Sequence, residues 1–256
     1  MTNPGTMSCP DHPGSYLEET TYLKHYKCDG CKMRGIGQGC RCKNCKYVLH
    51  MGCKYPSGKI SPLFLSNVSF KFKKEPPTLP PCPKGPKCKG KHERLCDACG
   101  KTVDGFVYSS DSGLDLHPCC AMLETHISID GVSFKLNKEK KPKKCHWCKL
   151  KVVKGNDKEI PGWFYESENH DYHYHVFCIM DMAVHCASMA EGHHSLALEK
   201  LDQLPLLAEK RRSGGDENKY WRILKVLITT VLSIVFGDPT TILAKLAVEA
   251  LVQLLN

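Results

Sequence analysis

The chain has 256 residues, with 36 Lys and Arg against 27 Asp and Glu, 17 Cys and 13 His. A hydrophobic share of 41% excludes a disordered chain, and cysteine at this density argues against a compact enzyme built on one large apolar core. Met1 to Gly5 carry neither a basic start nor an apolar run, so no secretory leader is expected. In the reducing, intracellular setting this implies (cytoplasm, nucleus or both), dense cysteines point to metal or redox chemistry, and the odd cysteine count speaks against a fully paired disulfide framework.

In chain order, Cys9-x2-His12 comes first, then Cys28-x2-Cys31, Cys42-x2-Cys45 and His50-x2-Cys53. From Lys71 to Lys91 the sequence is rich in Pro and Lys and reads as an extended spacer, because its prolines continue neither a helix nor a central strand. Cys96-x2-Cys99 is followed by His117-x2-Cys120, a charged connector occupies 138–144, and Cys145-x2-Cys148 is followed by His175-x2-Cys178. The pattern Cys-x2-Cys then His-x2-Cys thus occurs three times, and chance explains such repetition poorly. Met180, Met182 and Val184 predict a short helix against the third copy. Leu196, Leu198, Leu201 and Leu206 have helical spacing that Pro205 interrupts. Trp221 to Phe236 is almost wholly apolar and ends at Gly237, after which Asp238 and Pro239 supply the cap and first turn of a further helix to Leu255. Thin polar stripes at Lys225, Thr229 and Ser233, and at Lys245, Glu249 and Gln253, complete a predicted helical hairpin.

A two-residue gap lets both cysteines of a pair face one ion, and three thiolates with one imidazole suit tetrahedral zinc. Four protein ligands close the coordination shell, whereas a catalytic zinc keeps one position for water. Three closed sites are therefore expected: Cys28, Cys31, His50 and Cys53; Cys96, Cys99, His117 and Cys120; Cys145, Cys148, His175 and Cys178. Cys42 and Cys45 fall between the halves of the first set and need outside partners, which Cys9 and His12 supply, so three to four zinc ions per chain are expected. In the later copies Ser109 and Ser112, and Asn169 and His170, stand at the spacing of that extra pair, so one zinc each is expected there. Modules of around fifty residues with few large apolar side chains need such a metal to offset chain entropy.

The interleaved first copy resembles the C1 zinc domain first known from protein kinase C. CDGC with GIGQGCRCKNCKYVLHMGC, CDACGKTVDGFVY with LDLHPCCA, and CHWC with GWFY and YHVFCIMDM are more similar to the divergent C1 domain proteins of plants, over roughly residues 9 to 190. The resemblance implies tandem zinc modules and a role in plant stress, defence or developmental signalling. The family usually has an aromatic at position 40, His-Pro at 61–62, and cysteines at 109, 112 and 169. Here those positions hold Cys40, Ser61-Pro62, Ser109, Ser112 and Asn169, which removes second-site ligands and leaves the first-site ligands intact.

The expected architecture is a set of small zinc-stabilised α+β modules, three tandem C1-like zinc fingers, with a C-terminal α-helical hairpin. The ligand spacing divides the chain into module 1 at 8–70, the linker at 71–91, module 2 at 92–137, module 3 at 138–194 and the helical tail at 195–256. Thioredoxin-like chemistry would need a βαβ setting that surrounds none of the three pairs, and a RING would need a further Cys pair after Cys53. Gln38-Gly39 echoes diacylglycerol-binding C1 domains, but the stretch between Cys31 and Cys42 is short for a lipid groove. Basic runs at 71–91 and 138–154 suit nucleic acid only as a weak alternative, because no helix offers a base-reading face. His170, His173, Tyr165, Glu166 and Glu168 form a polar cluster without an identifiable nucleophile, and Cys82, Cys88 and His92 offer a loose extra ion site. Cys40, Cys119 and Cys186 have no evident partner. The expected function is a non-enzymatic zinc protein acting as an adaptor for a protein partner, with the tail driving oligomerisation or membrane contact. The rival is a peripheral lipid-binding protein that uses residues 221–256 and the first module; a spanning helix is not expected, since the longest charge-free run, 226–237, falls short of the about 20 residues needed.

Overall fold

The computed structural model describes residues 7–79, 93–129, 132–138, 143–154, 159–160, 162–189 and the three positions 227, 230 and 231. The predicted hairpin and the ion site of Cys82, Cys88 and His92 lie outside these residues, apart from helical Leu227, Thr230 and Val231, of which Leu227 and Val231 are buried.

The described chain is a set of small antiparallel sheets with few helices. In the first, β1 (Leu17–Lys27) pairs with β2 (Arg34–Cys42), which pairs with β3 (Val48–His50). The glycines of β2 make room for one aromatic side chain. A Cβ at Gly39 would meet the Tyr26 ring at 2.8 Å, and one at Gly35 would run into both Tyr26 and His50. Gly37 takes φ 76° where the β1–β2 register shifts between Tyr22 and Tyr26. That conformation costs glycine little and other residues more. The stretch between Cys31 and Cys42 is thus the central strand of a sheet, hydrogen-bonded on both sides.

The second sheet has the order β4 (Lys59–Ile60), β5 (Phe70–Lys73), β6 (Val107–Ser110) and β7 (Asp115–Leu116). β5 alternates as a half-buried strand should, with Phe70 fully buried and Lys71 and Lys73 exposed. The third sheet adds β8 (His126–Ile129) and β9 (Val132–Asn137) to the hairpin of β12 (Phe164–Ser167) and β13 (His173–His175), in the order β13-β12-β9-β8. A separate small ladder joins β10 (Val153–Lys154) to β11 (Glu159–Ile160). The second and third sheets straddle the boundaries that the ligand spacing suggests at 70/71 and 137/138. The chain leaving one module supplies strands to the sheet of the next.

Helices are short. α1 (Met51–Lys54) follows β3 directly, a single 3-10 turn at Cys120–Met122 follows β7, and α2 (Val176–Met189) follows β13. Ile179, Met180 and Met182 of α2 are buried, and this helix packs against β1 as well as β13. It realises the helix expected after Cys178, at greater length. One continuous hydrophobic cluster runs through all three modules.

Two joints lock the modules together by the same device. The Phe106 N–H donates to the Gly30 carbonyl at 2.9 Å, and the Trp163 N–H donates to the Ala98 carbonyl at 3.1 Å. Gly30 and Ala98 are each the second residue between a cysteine pair, and Phe106 and Trp163 each precede the first strand of the following hairpin. The device needs small residues at the point of contact. A Cβ at Gly30 would lie 2.5 Å from the Phe106 ring, and one at Gly105 would strike the Gly30 carbonyl oxygen.

Candidate metal centres

Three of the ligand sets are each built from a turn and a strand end. In the turn, the N–H of the first cysteine donates to the carbonyl five residues on: Cys28 to Met33, Cys96 to Lys101 and Cys145 to Leu150, each at 2.9 Å. The residue after the second cysteine donates back to the first, Lys32 to Cys28 at 2.9 Å, Gly100 to Cys96 at 2.7 Å and Lys149 to Cys145 at 2.9 Å. To do so these residues take φ of 64°, 70° and 61°. Lysine in that region is strained where glycine is not, and both lysines bind the turn they close, through Lys32 Nζ to the Asp29 carbonyl and Lys149 Nζ to the His146 carbonyl, each 2.5 Å.

The residue after the first cysteine fixes the turn to the strand that carries the histidine. The Asp29 N–H donates to the Val48 carbonyl at 2.8 Å, and Asp29 Oδ2 accepts from the Val48 N–H at 2.7 Å. Asp97 and Asp115 repeat this at 2.9 and 2.6 Å. In the third copy His146 replaces the aspartate, its N–H donating to the His173 carbonyl at 2.8 Å and its Nδ1 accepting from the His173 N–H at 3.0 Å. The strand then delivers the ligand histidine, and the helical turn that follows it delivers the last cysteine.

This scaffold groups twelve of the residues expected from spacing, and the segment before β1 brings Cys9 and His12 to Cys42 and Cys45, so all sixteen are grouped. They form four groups, Cys28, Cys31, His50 and Cys53; Cys96, Cys99, His117 and Cys120; Cys145, Cys148, His175 and Cys178; and Cys9, His12, Cys42 and Cys45. Within each group the ligating atoms lie within 4.8 Å of one another. His50 Nδ1 is 3.3 Å from Cys31 Sγ and 3.9 Å from Cys53 Sγ. His117 Nδ1 is 3.5 and 3.9 Å from Cys99 and Cys120, and His175 Nδ1 is 3.5 and 3.8 Å from Cys148 and Cys178. Around a tetrahedral zinc with Zn–S of about 2.3 Å and Zn–N of about 2.0 Å, neighbouring donors stand roughly 3.5–3.8 Å apart. The donor set and its spacing therefore fit about four zinc ions per chain.

The histidines are oriented for that task. His117 Nε2 lies 2.9 Å from the Thr102 carbonyl and His175 Nε2 lies 3.3 Å from the Lys151 carbonyl. A carbonyl only accepts, so Nε2 carries the proton and Nδ1 turns its lone pair toward the sulfurs.

The thiols and imidazole of each cluster shift one another's protonation. Burial raises the Cys31 thiol and a hydrogen bond with Cys119 raises it further, but hydrogen bonds from Cys28 and Cys53 and the charge of His50 outweigh both and hold it at about 5. Burial lowers His50, yet the charge of Cys31 and hydrogen bonds from Cys28 and Cys31 raise it to about 10. Hydrogen bonding from Cys178 outweighs burial and holds Cys145 at about 3. In each of these two clusters the depressed thiol is a thiolate at neutral pH, the form that binds metal, while its partner, Cys53 or Cys178, is pushed up by the same hydrogen bonding.

Other residues that the sequence singles out fall outside the four groups, although Cys119 hydrogen-bonds Cys31. Cys40 and Cys119 are buried and join no metal group; Cys40 Sγ is 3.1 Å from Met51 Sδ. His170 pairs with Glu166 at 3.0 Å on the surface, and His173 is buried against Phe164; neither joins a metal group. A residue that the motifs did not single out is Arg94, which pairs with buried Asp115 and reaches the Pro77 carbonyl at 2.6 Å. No helix among the described residues is long and apolar enough to cross a membrane. No family model, curated protein or solved structure matches the chain.

Proposed function

We propose that the chain is a divergent C1-like zinc protein of the plant type whose modules form a non-catalytic scaffold for binding another protein in intracellular signalling. The observation that carries this reading is closure: every Cys-x2-Cys pair meets a His and a further Cys, or in the fourth group Cys9 and His12, so four protein donors surround each centre and no position is left for water or substrate. Thiols engaged with one another in this way are not arranged as redox pairs at a helix start.

Binding to another protein needs accessible apolar surface, and two of the large apolar side chains exposed among the described residues flank one cleft. Tyr55 and Met122, 50% and 56% exposed, border a cleft of about 440 Å³ between α1 and the Cys120–Met122 turn, with Ile60, Pro62 and Pro118 in its walls. A flexible thioether and an amphipathic ring suit an adaptable protein contact. The test compares wild-type protein with Tyr55→Ser/Met122→Ser in affinity capture at equal zinc content. A partner lost with the double variant supports the reading, and identical recovery removes the cleft from it. Spectroscopic evidence of a zinc-bound water at any centre overturns the non-catalytic assignment.

A further inference from the structure

The four groups differ in how the rest of the chain encloses them. In the first two sets all four ligands are buried, and in the third only Cys148 is half-exposed. The first set lies beneath a module joint, because Gly30 in its turn is covered by Phe106, and the second lies beneath another, because Ala98 is bonded to Trp163. The group of Cys9, His12, Cys42 and Cys45 sits at an outer corner of the first sheet. Cys9 and Cys42 are buried, but His12 and Cys45 are half-exposed, and Pro10, Asp11, Pro13, Gly14, Lys43 and Asn44 around them are exposed.

The attachment differs as well. The other ligands sit in strands or in the turns and helices that directly adjoin them, whereas Cys9 and His12 belong to an arm, residues 7–16, that precedes β1 and joins no sheet. Within the arm His12 N–H donates to the Cys9 carbonyl at 3.2 Å and Ser15 N–H to the His12 carbonyl at 2.9 Å. Its backbone and Ser15 hydrogen bonds to the body among the described residues are Met7 N–H to the Lys54 carbonyl and Asn44 Nδ2 to Ser15 Oγ, both 2.8 Å; its ligand side chains meet the body where Cys9 Sγ lies 3.4 Å from Cys45 Sγ and His12 Nδ1 3.7 Å from Cys42 Sγ. Met7 and Cys9 also pack against the core, and a cation shared by Cys9, His12, Cys42 and Cys45 would add the clasp that fixes residues 10–16 to the body.

We propose that this fourth group is an exchangeable zinc site, emptied while the other three stay filled, and that its emptying frees the 7–16 arm. The proposal rests on the reading that the groups hold zinc. An incoming chelator would reach the ion from the half-exposed side of His12 and Cys45, and its donors would replace the three thiolates and the imidazole as the ion leaves. The β1–β2 pairing and the set of Cys28, Cys31, His50 and Cys53 do not pass through the arm, so the body of the module outlasts the loss.

The experiment follows metal transfer from fully loaded full-length chain to a chromophoric chelator at neutral pH, beside a Cys42→Ser/Cys45→Ser variant. The expected result is one equivalent leaving in a separate fast phase and three leaving slowly, with the variant starting at three and lacking the fast phase. Hydrogen exchange after the fast phase is expected to show lost protection at the His12 and Ser15 amides and retained protection at Lys32, Gly100 and Lys149. Four equivalents leaving at one rate, a fast phase that persists in the variant, or unchanged exchange in the arm overturns the proposal. If wild type and variant both load three ions, the zinc reading of this group fails instead, and the proposal falls with it.

Discussion

The joint between the first two modules gives a sharp mutational test. Gly105 has no room for a side chain, because a Cβ there would strike the Gly30 carbonyl oxygen, the acceptor for the Phe106 N–H. Gly105→Ala must either break that hydrogen bond or shift the turn that carries Cys28 and Cys31. Loss of the bond costs about 0.5–1.5 kcal/mol. Overpacking a closed contact costs about 1–3 kcal/mol. Either route alone costs about 0.5–3 kcal/mol and both together about 1.5–4.5 kcal/mol, read as a lowered urea midpoint of the zinc-loaded protein. Gly58→Ala is the matched control, since a Cβ there meets nothing within 4 Å, and its effect should stay within about 0.5 kcal/mol. Hydrogen exchange should place the damage at the Phe106 amide and leave the Trp163 amide protected, with the zinc count unchanged. Equal midpoints for Gly105→Ala and Gly58→Ala would refute the reasoning.

Arg94→Met leaves Asp115 buried without its ion pair and should destabilise the protein by about 3–5 kcal/mol, while Arg94→Met/Asp115→Asn should recover much of the loss in a double-mutant cycle. Asp97→Ala removes the acceptor for the Asp115 N–H and should cost about 1–3 kcal/mol by urea titration; Asp29→Ala, which strands the Val48 N–H, should cost a similar amount. For pH, the Cys31 and Cys145 thiols are depressed in the folded clusters to about 5 and about 3. A group depressed in this way contributes stability that is present above its unfolded value, about 8.5 for a thiol, and lost as pH falls through the folded value. Zinc should therefore be retained at neutral pH and released in acid, as read with a metal-sensitive dye during stepwise acidification; release complete at pH 7 would contradict the cluster electrostatics.

What could be read from the sequence was local. A two-residue gap between cysteines dictates a turn, and a histidine three residues before a cysteine dictates a strand end followed by a helical turn. The grouping of the sixteen cysteines and histidines was therefore legible from spacing. The sheets were less so, because β5 and β9 pair with strands far along the chain. The Lys and Pro content around Lys71 masks the alternation of Phe70 and Phe72 that makes β5 a strand. The module joints were hidden for the same reason: Gly30 and Gly105 look like ordinary turn glycines until the Phe106 ring and the Gly30 carbonyl are found against them. Arg94 carries no motif, and its importance comes from the burial of Asp115, which only the packed structure reveals. The switch from Asp29 and Asp97 to His146 at one turn position was visible in the sequence but became interpretable only when its Nδ1 was seen to accept the same hydrogen bond.

The central claim is that each centre is a closed set of three thiolates and one imidazole. X-ray absorption at the zinc edge, on protein of known metal content, tests it most directly. The account predicts about four zinc ions per chain. It also predicts an average shell of three sulfurs at about 2.3 Å and one nitrogen at about 2.0–2.1 Å, with no oxygen. Fewer than three ions in folded protein, or a shell containing an oxygen donor, would contradict it.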